Sequence, residues 1–174
     1  MFLDRWLKPR PAKAAGAKLY ASAVGQARSA IFYRQIGVRD SLEGRFELFS
    51  LHVILLIDRL KGQGDAAAET SQAVFDSYVK GLDDAFREIG VADTSVGKKM
   101  KKLASAFYGR LKAYDEALVS QPDTLDDFLA RTALEERGEG DVTALSAYVR
   151  RTREALAQQP LEALLQGDVT WPNP

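Results

Sequence analysis

The chain has 174 residues, of which 46% are hydrophobic and 28% are charged, so it is long enough for one domain with a buried core. Lysine plus arginine balance aspartate plus glutamate at 24 each. There is no cysteine, which excludes disulfides, thiolate metal sites and cysteine nucleophiles. No apolar run reaches the roughly 20 residues that a membrane span needs. The N-terminus does not match a secretory signal, because charged residues interrupt its apolar positions. We therefore expect a cytoplasmic protein, with peripheral contact at the inner face of the cytoplasmic membrane as the alternative location.

The first twelve residues are predicted to be an amphipathic segment and linker, followed by a helical domain at residues 13–166 and a tail at residues 167–174. Basic side chains dominate the start of the chain, with eight in the first forty residues against two acidic ones. The segment has three open interpretations: a foot on an anionic membrane, a helix packed on the domain, or a frayed end. Its apolar residues are Phe2, Leu3, Trp6 and Leu7.

The first helix of the domain is predicted at residues 13–36, which are rich in alanine and contain no proline. Apolar residues recur there at three- and four-residue steps, as on one face of a helix. The small side chains of Ala23, Gly25 and Ala27 would let another helix approach closely.

Two further helices are predicted at residues 41–61 and 66–89. The first is capped by Asp40 or Ser41 and is apolar on most sides, which is typical of the central helix of a bundle. An open groove for an apolar ligand is the alternative interpretation. The second combines an apolar stripe with an acidic outer face and ends before Gly90.

The next helix, at residues 95–118 with Thr94 or Ser95 as its cap, has one apolar and one basic face. The apolar stripe is Val96, Met100, Leu103, Phe107, Leu111, Tyr114 and Leu118. The basic residues are Lys98, Lys99, Lys101, Lys102, Arg110 and Lys112. Lysines in a first turn oppose the helix dipole at roughly 0.3–1 kcal/mol each. The pattern indicates either an anionic partner or an ordinary solvated face.

Gly109, in the middle of this helix, costs about 1 kcal/mol relative to alanine. It indicates either close contact with another helix or a backbone that a partner approaches.

The last third is predicted to contain a helix capped by Asp123 or Thr124 that reaches about residue 137, and a helix that Asp141 caps. One or two final turns follow Pro160, and Trp171 in the tail is a candidate to dock on the domain. No stretch alternates apolar and polar residues as a strand does. The fold class is therefore all-α, a single-domain helical bundle of about six or seven helices.

Catalytic motifs are missing from the sequence. The one histidine, His52, lies within an apolar helix, where a packed side chain is far commoner than a ligand or a base. Glycine-rich phosphate loops, Gly-x-Ser-x-Gly, His-Glu-x-x-His and EF-hand patterns do not occur. We therefore expect no enzyme, no catalytic residue, no metal site and no cofactor.

Two stretches of the chain resemble the ubiquinol–cytochrome c chaperone family. They read FELFSLHVILLIDRL at residues 46–60 and QAVFDSYVKGLDDAFREIGVADTSVGKKMKKLASAFYGRLKAY at residues 72–114. The resemblance covers roughly residues 29–149. It is strongest in DDAFRE at residues 83–88, in FYGR at residues 107–110, and between them at residues 90–91, 93, 96 and 99–101. It implies a helical, non-enzymatic chaperone, because mitochondrial members are assembly factors for respiratory complex III.

The resemblance also implies partners. Mitochondrial members bind newly made cytochrome b and, with a small partner protein, lie near the ribosomal tunnel exit. No organellar presequence is evident here, so we expect a bacterial, cytoplasmic member whose own small partner is unknown.

We further expect the basic helix to dock on an anionic partner while neighbouring acids shape the surface. The predicted partner-binding residues are Asp83, Asp84, Glu88, Lys98, Lys99, Lys101, Lys102, Tyr108 and Arg110. Helices 46–60 or 75–89 are expected to supply apolar contact for the client. The alternatives are an RNA-binding module, a peripheral membrane protein anchored by residues 1–7, and, third, an enzyme built on carboxylates.

Overall fold

Helices form the framework of the protein in a computed structural model that describes residues 11–88, 90, 93–119, 122–134 and 140–174. Within those residues there are six helices of 11 to 27 residues, two of five residues, and no strand. They are α1 (Pro11–Ala27), α2 (Ala30–Arg34), α3 (Leu42–Leu60), α4 (Asp65–Glu88), α5 (Asp93–Val119), α6 (Pro122–Thr132), α7 (Val142–Gln158) and α8 (Leu161–Leu165). The all-α, single-domain prediction is confirmed.

The apolar helix α3 lies at the centre of the domain. It packs against α1, α4 and α7, and nearly every side chain from Leu48 to Leu56 is buried. The Ser41 hydroxyl accepts a hydrogen bond from the Gly44 amide at 3.1 Å and caps the helix. Asp40 pairs instead with Arg45 at 2.7 Å. Most of α3 is therefore core, and the end of the helix contributes to open grooves.

The predicted helix at residues 13–36 is two helices. The helix is interrupted at Ser29, whose backbone is extended (ψ 129°), and α2 begins at Ala30. This interruption places Phe32 in the core, edge-on to His52 at 5.5 Å and to Tyr148 at 5.0 Å between ring centroids. Packing of one aromatic side chain thus overrides the helical propensity of the alanine-rich sequence.

Helix α1 packs closely against α4, but not at the predicted glycine. A Cβ on Gly25 would meet nothing within 4 Å, whereas one on Gly16 would lie 2.5 Å from Ala73 Cβ and 2.7 Å from the Val74 backbone nitrogen. Ala23 and Ala27 are buried, as expected. Gly16 is therefore the residue that permits the close approach.

Three predicted helix ends differ from the structure. Helix α5 begins at Asp93, so Thr94 and Ser95 lie in its first turn and neither is the cap. Helix α6 begins at Pro122 itself, a position where the missing proline N–H costs nothing, so Asp123 and Thr124 are helical too. It ends at Thr132 rather than near residue 137, and residues 135–139 lie outside the described residues.

The C-terminal tail docks on the domain, as predicted. The Trp171 indole N–H donates to the Ser22 hydroxyl at 2.9 Å, and its ring stands edge-on to His52 at 5.2 Å. The Gln26 amide donates to the Pro172 carbonyl at 2.9 Å. The tail therefore ties α1 to the buried centre of α3.

Candidate partner-binding surface

Helices α4 and α5 form an antiparallel hairpin that carries all nine predicted partner-binding residues. Phe86, near the end of α4, faces Lys99 near the start of α5, with the ammonium 5.6 Å from the ring centroid. About three turns back along α4, Phe75 faces Tyr108, with ring centroids 5.3 Å apart. The outer half of the hairpin has few buried side chains, so its apolar residues remain partly accessible.

The outward face of α5 is basic. Lys98, Lys101 and Lys102 are exposed and form no ion pair with any other described residue. Lys112 on the same face is 80% exposed and lies 3.8 Å from Glu116. Lys99 turns from this face toward α4. Three of the four predicted lysines thus share an open surface.

Arg110 faces the interior, in contrast with these lysines. Its guanidinium donates two hydrogen bonds to the Glu47 carboxylate on α3 and lies 5.2 Å from the centre of the Phe46 ring. The two side chains are only 24% and 10% exposed. Burial raises the pKa of the Glu47 carboxyl, and the Arg110 guanidinium opposes that rise. This pair joins the basic helix to the core, a role that the charge pattern of the sequence does not reveal.

The predicted acidic residues lie on α4, next to the basic start of α5. Asp83 pairs with Arg87 at 2.8 Å and Asp84 with Lys80 at 2.6 Å, each one turn away on the same helix. Glu88 is exposed at the end of α4. The acids are therefore partly balanced by cations of their own helix.

An apolar groove opens where α4, α5 and the last turn of α3 meet. Its volume is about 340 Å³, and the apolar side chains that line it include Ile57, Leu60, Phe75, Phe107, Tyr108 and Leu111. Tyr108 is 56% exposed, one of two large hydrophobic residues so exposed in the described part of the chain. Sequence periodicity did not reveal this groove, because its walls come from three helices.

Gly109 lies beside Tyr108 on the open surface. A Cβ there would meet nothing within 4 Å, so close contact with another helix of this domain is not the reason for the glycine. The second interpretation, a backbone that a partner approaches, stays a prediction.

The described residues offer no group of acids or histidines able to hold a metal ion. His52 is fully buried: its Nδ1–H donates to the Leu48 carbonyl at 2.7 Å, and its Nε2 accepts from the Tyr148 hydroxyl at 2.8 Å. Burial lowers the pKa of His52 to about 4, so it is neutral near pH 7. The prediction of a packed histidine is confirmed.

Two expectations concern contact with membranes. None of the helices in the described ranges has the length and apolar character needed to cross a bilayer. The four residues of the predicted membrane-contact segment, Phe2, Leu3, Trp6 and Leu7, lie outside the described residues.

Comparisons with known proteins agree over most of the chain. A family model described as ubiquinol-cytochrome C chaperone matches residues 34–171. Ubiquinol-cytochrome-c reductase complex assembly factor 1 of Xenopus laevis is 24% identical over 162 residues, covering 91% of this chain and 81% of that protein. Its mouse and human counterparts are each 25% identical over 162 residues, and the chain spans just over half their length, 55% and 54%.

A solved structure has the same fold. The crystal structure of the Cbp3 homologue from Brucella abortus is 35% identical to this chain, with a TM-score of 0.86. The match covers 99% of this chain and 97% of that one, so the whole helical architecture is shared.

Proposed function

The chain belongs to the ubiquinol–cytochrome c chaperone family, and on that premise we propose that it is an assembly chaperone of the cytochrome bc1 complex that binds newly made cytochrome b. The family consists of assembly factors, so the chain is not an enzyme. The observation that carries the proposal is the family match over residues 34–171, which includes α3 to α8.

The α4–α5 hairpin supports client binding. An unassembled membrane subunit exposes apolar helices, and a chaperone for it needs apolar surface that is not already used in its own core. Phe75, Val79 and Leu82 on α4 are only partly buried, as are Met100 and Leu111 on α5. This hairpin is therefore the proposed client surface.

The lysine face of α5 is the proposed docking surface for an anionic partner. Clustered exposed charge of one sign raises the association rate of an oppositely charged partner. Lys98, Lys101 and Lys102 supply that charge, and Asp83, Asp84 and Glu88 lie on the neighbouring helix α4. The ribosome near its tunnel exit is one candidate for this partner, and a small protein subunit is another.

A second proposed contact is with anionic membrane, through Phe2, Leu3, Trp6 and Leu7, at the cytoplasmic side. Four apolar residues interspersed with basic ones have the composition of an interfacial segment. Removal of residues 1–10 should abolish binding to vesicles containing phosphatidylglycerol. Unchanged sedimentation with these vesicles would refute this contact.

Site-specific photocrosslinking in cells tests the chaperone function. A photoreactive amino acid is placed at Phe75, Lys99 or Tyr108, and at Gln158 as an exposed control on α7. We expect cytochrome b in the products from Phe75 and Tyr108 but not from Gln158. If no hairpin probe captures cytochrome b while the protein is folded and expressed, the proposed function is wrong.

Charge reversal tests the docking surface separately. The double variant Lys98→Glu/Lys102→Glu should lose capture of the anionic partner by the Lys99 probe. A folded double variant with an unchanged set of crosslinks would refute the docking role.

A further inference from the structure

The groove between α4 and α5 has an apolar floor, and Lys101 and Lys112 on the open face of α5 form what we call its basic rim. We propose that it holds one face of an acidic amphipathic helix, whose apolar side chains contact Phe75 and Leu111 and whose carboxylates pair with Lys101 and Lys112. This inference rests on the chaperone function proposed above, and it names the chemistry of the client segment.

The aromatic lining of the groove is supported by the core. Phe75 and Phe107 line the groove with ring centroids 5.3 Å apart, and buried Tyr78, which is not part of the lining, packs against Phe107 at 4.9 Å between centroids. The Tyr78 hydroxyl shares a 2.7 Å hydrogen bond with the Ser50 hydroxyl on α3. Tyr108 continues the lining to the open rim. Residues that dominate the binding energy of an interface are commonly aromatic side chains held rigidly beside a pocket.

The open shape of the groove suits one face of a bound helix. The groove has about 340 Å³ and is open along one side. It therefore admits one apolar face and leaves the opposite face of the client helix in solvent.

The basic rim sets the charge of the occupant. Lys101 and Lys112 lie seven residues before and four residues after Tyr108, so all three project from the same face of α5. At 1.5 Å per residue the two lysines are about 16 Å apart, or three turns of a bound helix. Carboxylates flanking an apolar face at that spacing would meet both lysines.

Two acids near this end do not cancel the rim charge. Asp115 is held by Lys61 at 2.7 Å. Glu116 lies 3.8 Å from Lys112, a loose contact that a client carboxylate can replace. Gly109, with open space above it, leaves room for the client backbone beside Tyr108.

Fluorescence anisotropy with three labelled 18-residue peptides tests this chemistry on the full chain. The first peptide carries leucines at i, i+3, i+4 and i+7 between glutamates eleven positions apart. The second replaces the glutamates with lysines, and the third replaces the leucines with serines. Two variants change the groove, Lys101→Glu/Lys112→Glu and Tyr108→Ser. The control, Lys13→Glu/Arg34→Glu, makes the same charge change on α1 and α2.

We expect the glutamate peptide to bind at least about tenfold more tightly than the other two. The groove reversal should weaken its binding about tenfold and make the lysine peptide the preferred ligand. Tyr108→Ser should weaken binding by a similar factor, and the control should stay within about twofold. Circular dichroism confirms that each variant is folded.

Equal binding of the glutamate and lysine peptides would overturn the inference, as would full affinity in Tyr108→Ser. Tighter binding of labelled oligouridylate than of any peptide, lost in Tyr108→Ser, would assign the surface to RNA and also overturn it. If the glutamate peptide does not bind preferentially while the Tyr108 probe captures cytochrome b in cells, only this inference is wrong. If the glutamate peptide binds preferentially and no probe captures cytochrome b, the groove chemistry stands and the proposed function is wrong.

Discussion

The ion pair between Arg110 on α5 and Glu47 on α3 should contribute more to stability than any exposed charge on the basic helix. In the variant Arg110→Met the Glu47 carboxylate loses its partner while it stays nearly buried. Breaking a buried pair in this way costs about 3–5 kcal/mol. Because the Arg110 side chain is 24% exposed, we expect the lower end, about 3 kcal/mol.

This loss corresponds to a fall in melting temperature of about 6–12 °C for a chain of this size. Urea unfolding at pH 7, followed by circular dichroism, measures the loss of unfolding free energy. The control Lys101→Met removes an exposed charge from the same helix and should stay within about 0.5 kcal/mol of the wild type. The double variant Glu47→Leu/Arg110→Met removes both charges and should recover to within about 1 kcal/mol, since apolar replacement of a buried pair is often neutral.

The pH dependence gives a second test of the same pair. Burial raises the pKa of Glu47, and removal of Arg110 removes the opposing effect. A carboxyl with a raised folded pKa stabilises the fold when it is protonated, and this stability is lost as the pH rises through that pKa. The deficit of Arg110→Met should therefore be largest at pH 7 and shrink as the solution is acidified.

Either of two results would refute this reasoning. One is a urea midpoint for Arg110→Met equal to that of the wild type. The other is a double variant no more stable than the single one. The double variant also distinguishes two roles of Arg110, holding α5 on the core and contacting a partner. If Arg110 acts only through Glu47, the double variant should keep the cytochrome b crosslinks.

Three further predictions concern the core and the glycines. His52 has a folded pKa of about 4, so between about pH 6.5 and 4 the unfolded chain binds a proton that the folded chain does not. On acidification through this range the wild type should therefore lose about 3 kcal/mol more stability than His52→Gln. Urea-derived stabilities of the two proteins that fall in parallel with pH would contradict this. Gly109→Ala should stabilise the protein by up to about 1 kcal/mol, because its Cβ would meet nothing. Gly16→Ala should destabilise it by about 1–3 kcal/mol, because its Cβ would meet the α4 backbone. Melting curves that rank the two variants the other way would refute the packing argument. Trp171→Ala should lower stability by about 3 kcal/mol through lost burial and expose the tail to proteolysis, and an unchanged digestion rate would show that the tail is not held by this ring.

Local chemistry in the sequence determined most of the helices. Apolar residues at helical spacing predicted α3, α4, α5 and α7, because burying one face of a helix requires that pattern. Ser41 and Asp141 were recognisable as caps, since a side-chain oxygen before a helix satisfies its free amides. The lysine face of α5 was equally visible, because exposed side chains need no partner to define their direction.

The tertiary structure decided what no local pattern encodes. The break at Ser29 depends on a place for Phe32 between His52 and Tyr148, and the inward turn of Arg110 depends on Glu47, which is 63 residues away in the chain. The groove at Tyr108 exists because the walls from α3, α4 and α5 meet around it without filling it. Periodicity reports which face of one helix is apolar, but whether that face is covered depends on the shapes of the helices packed against it.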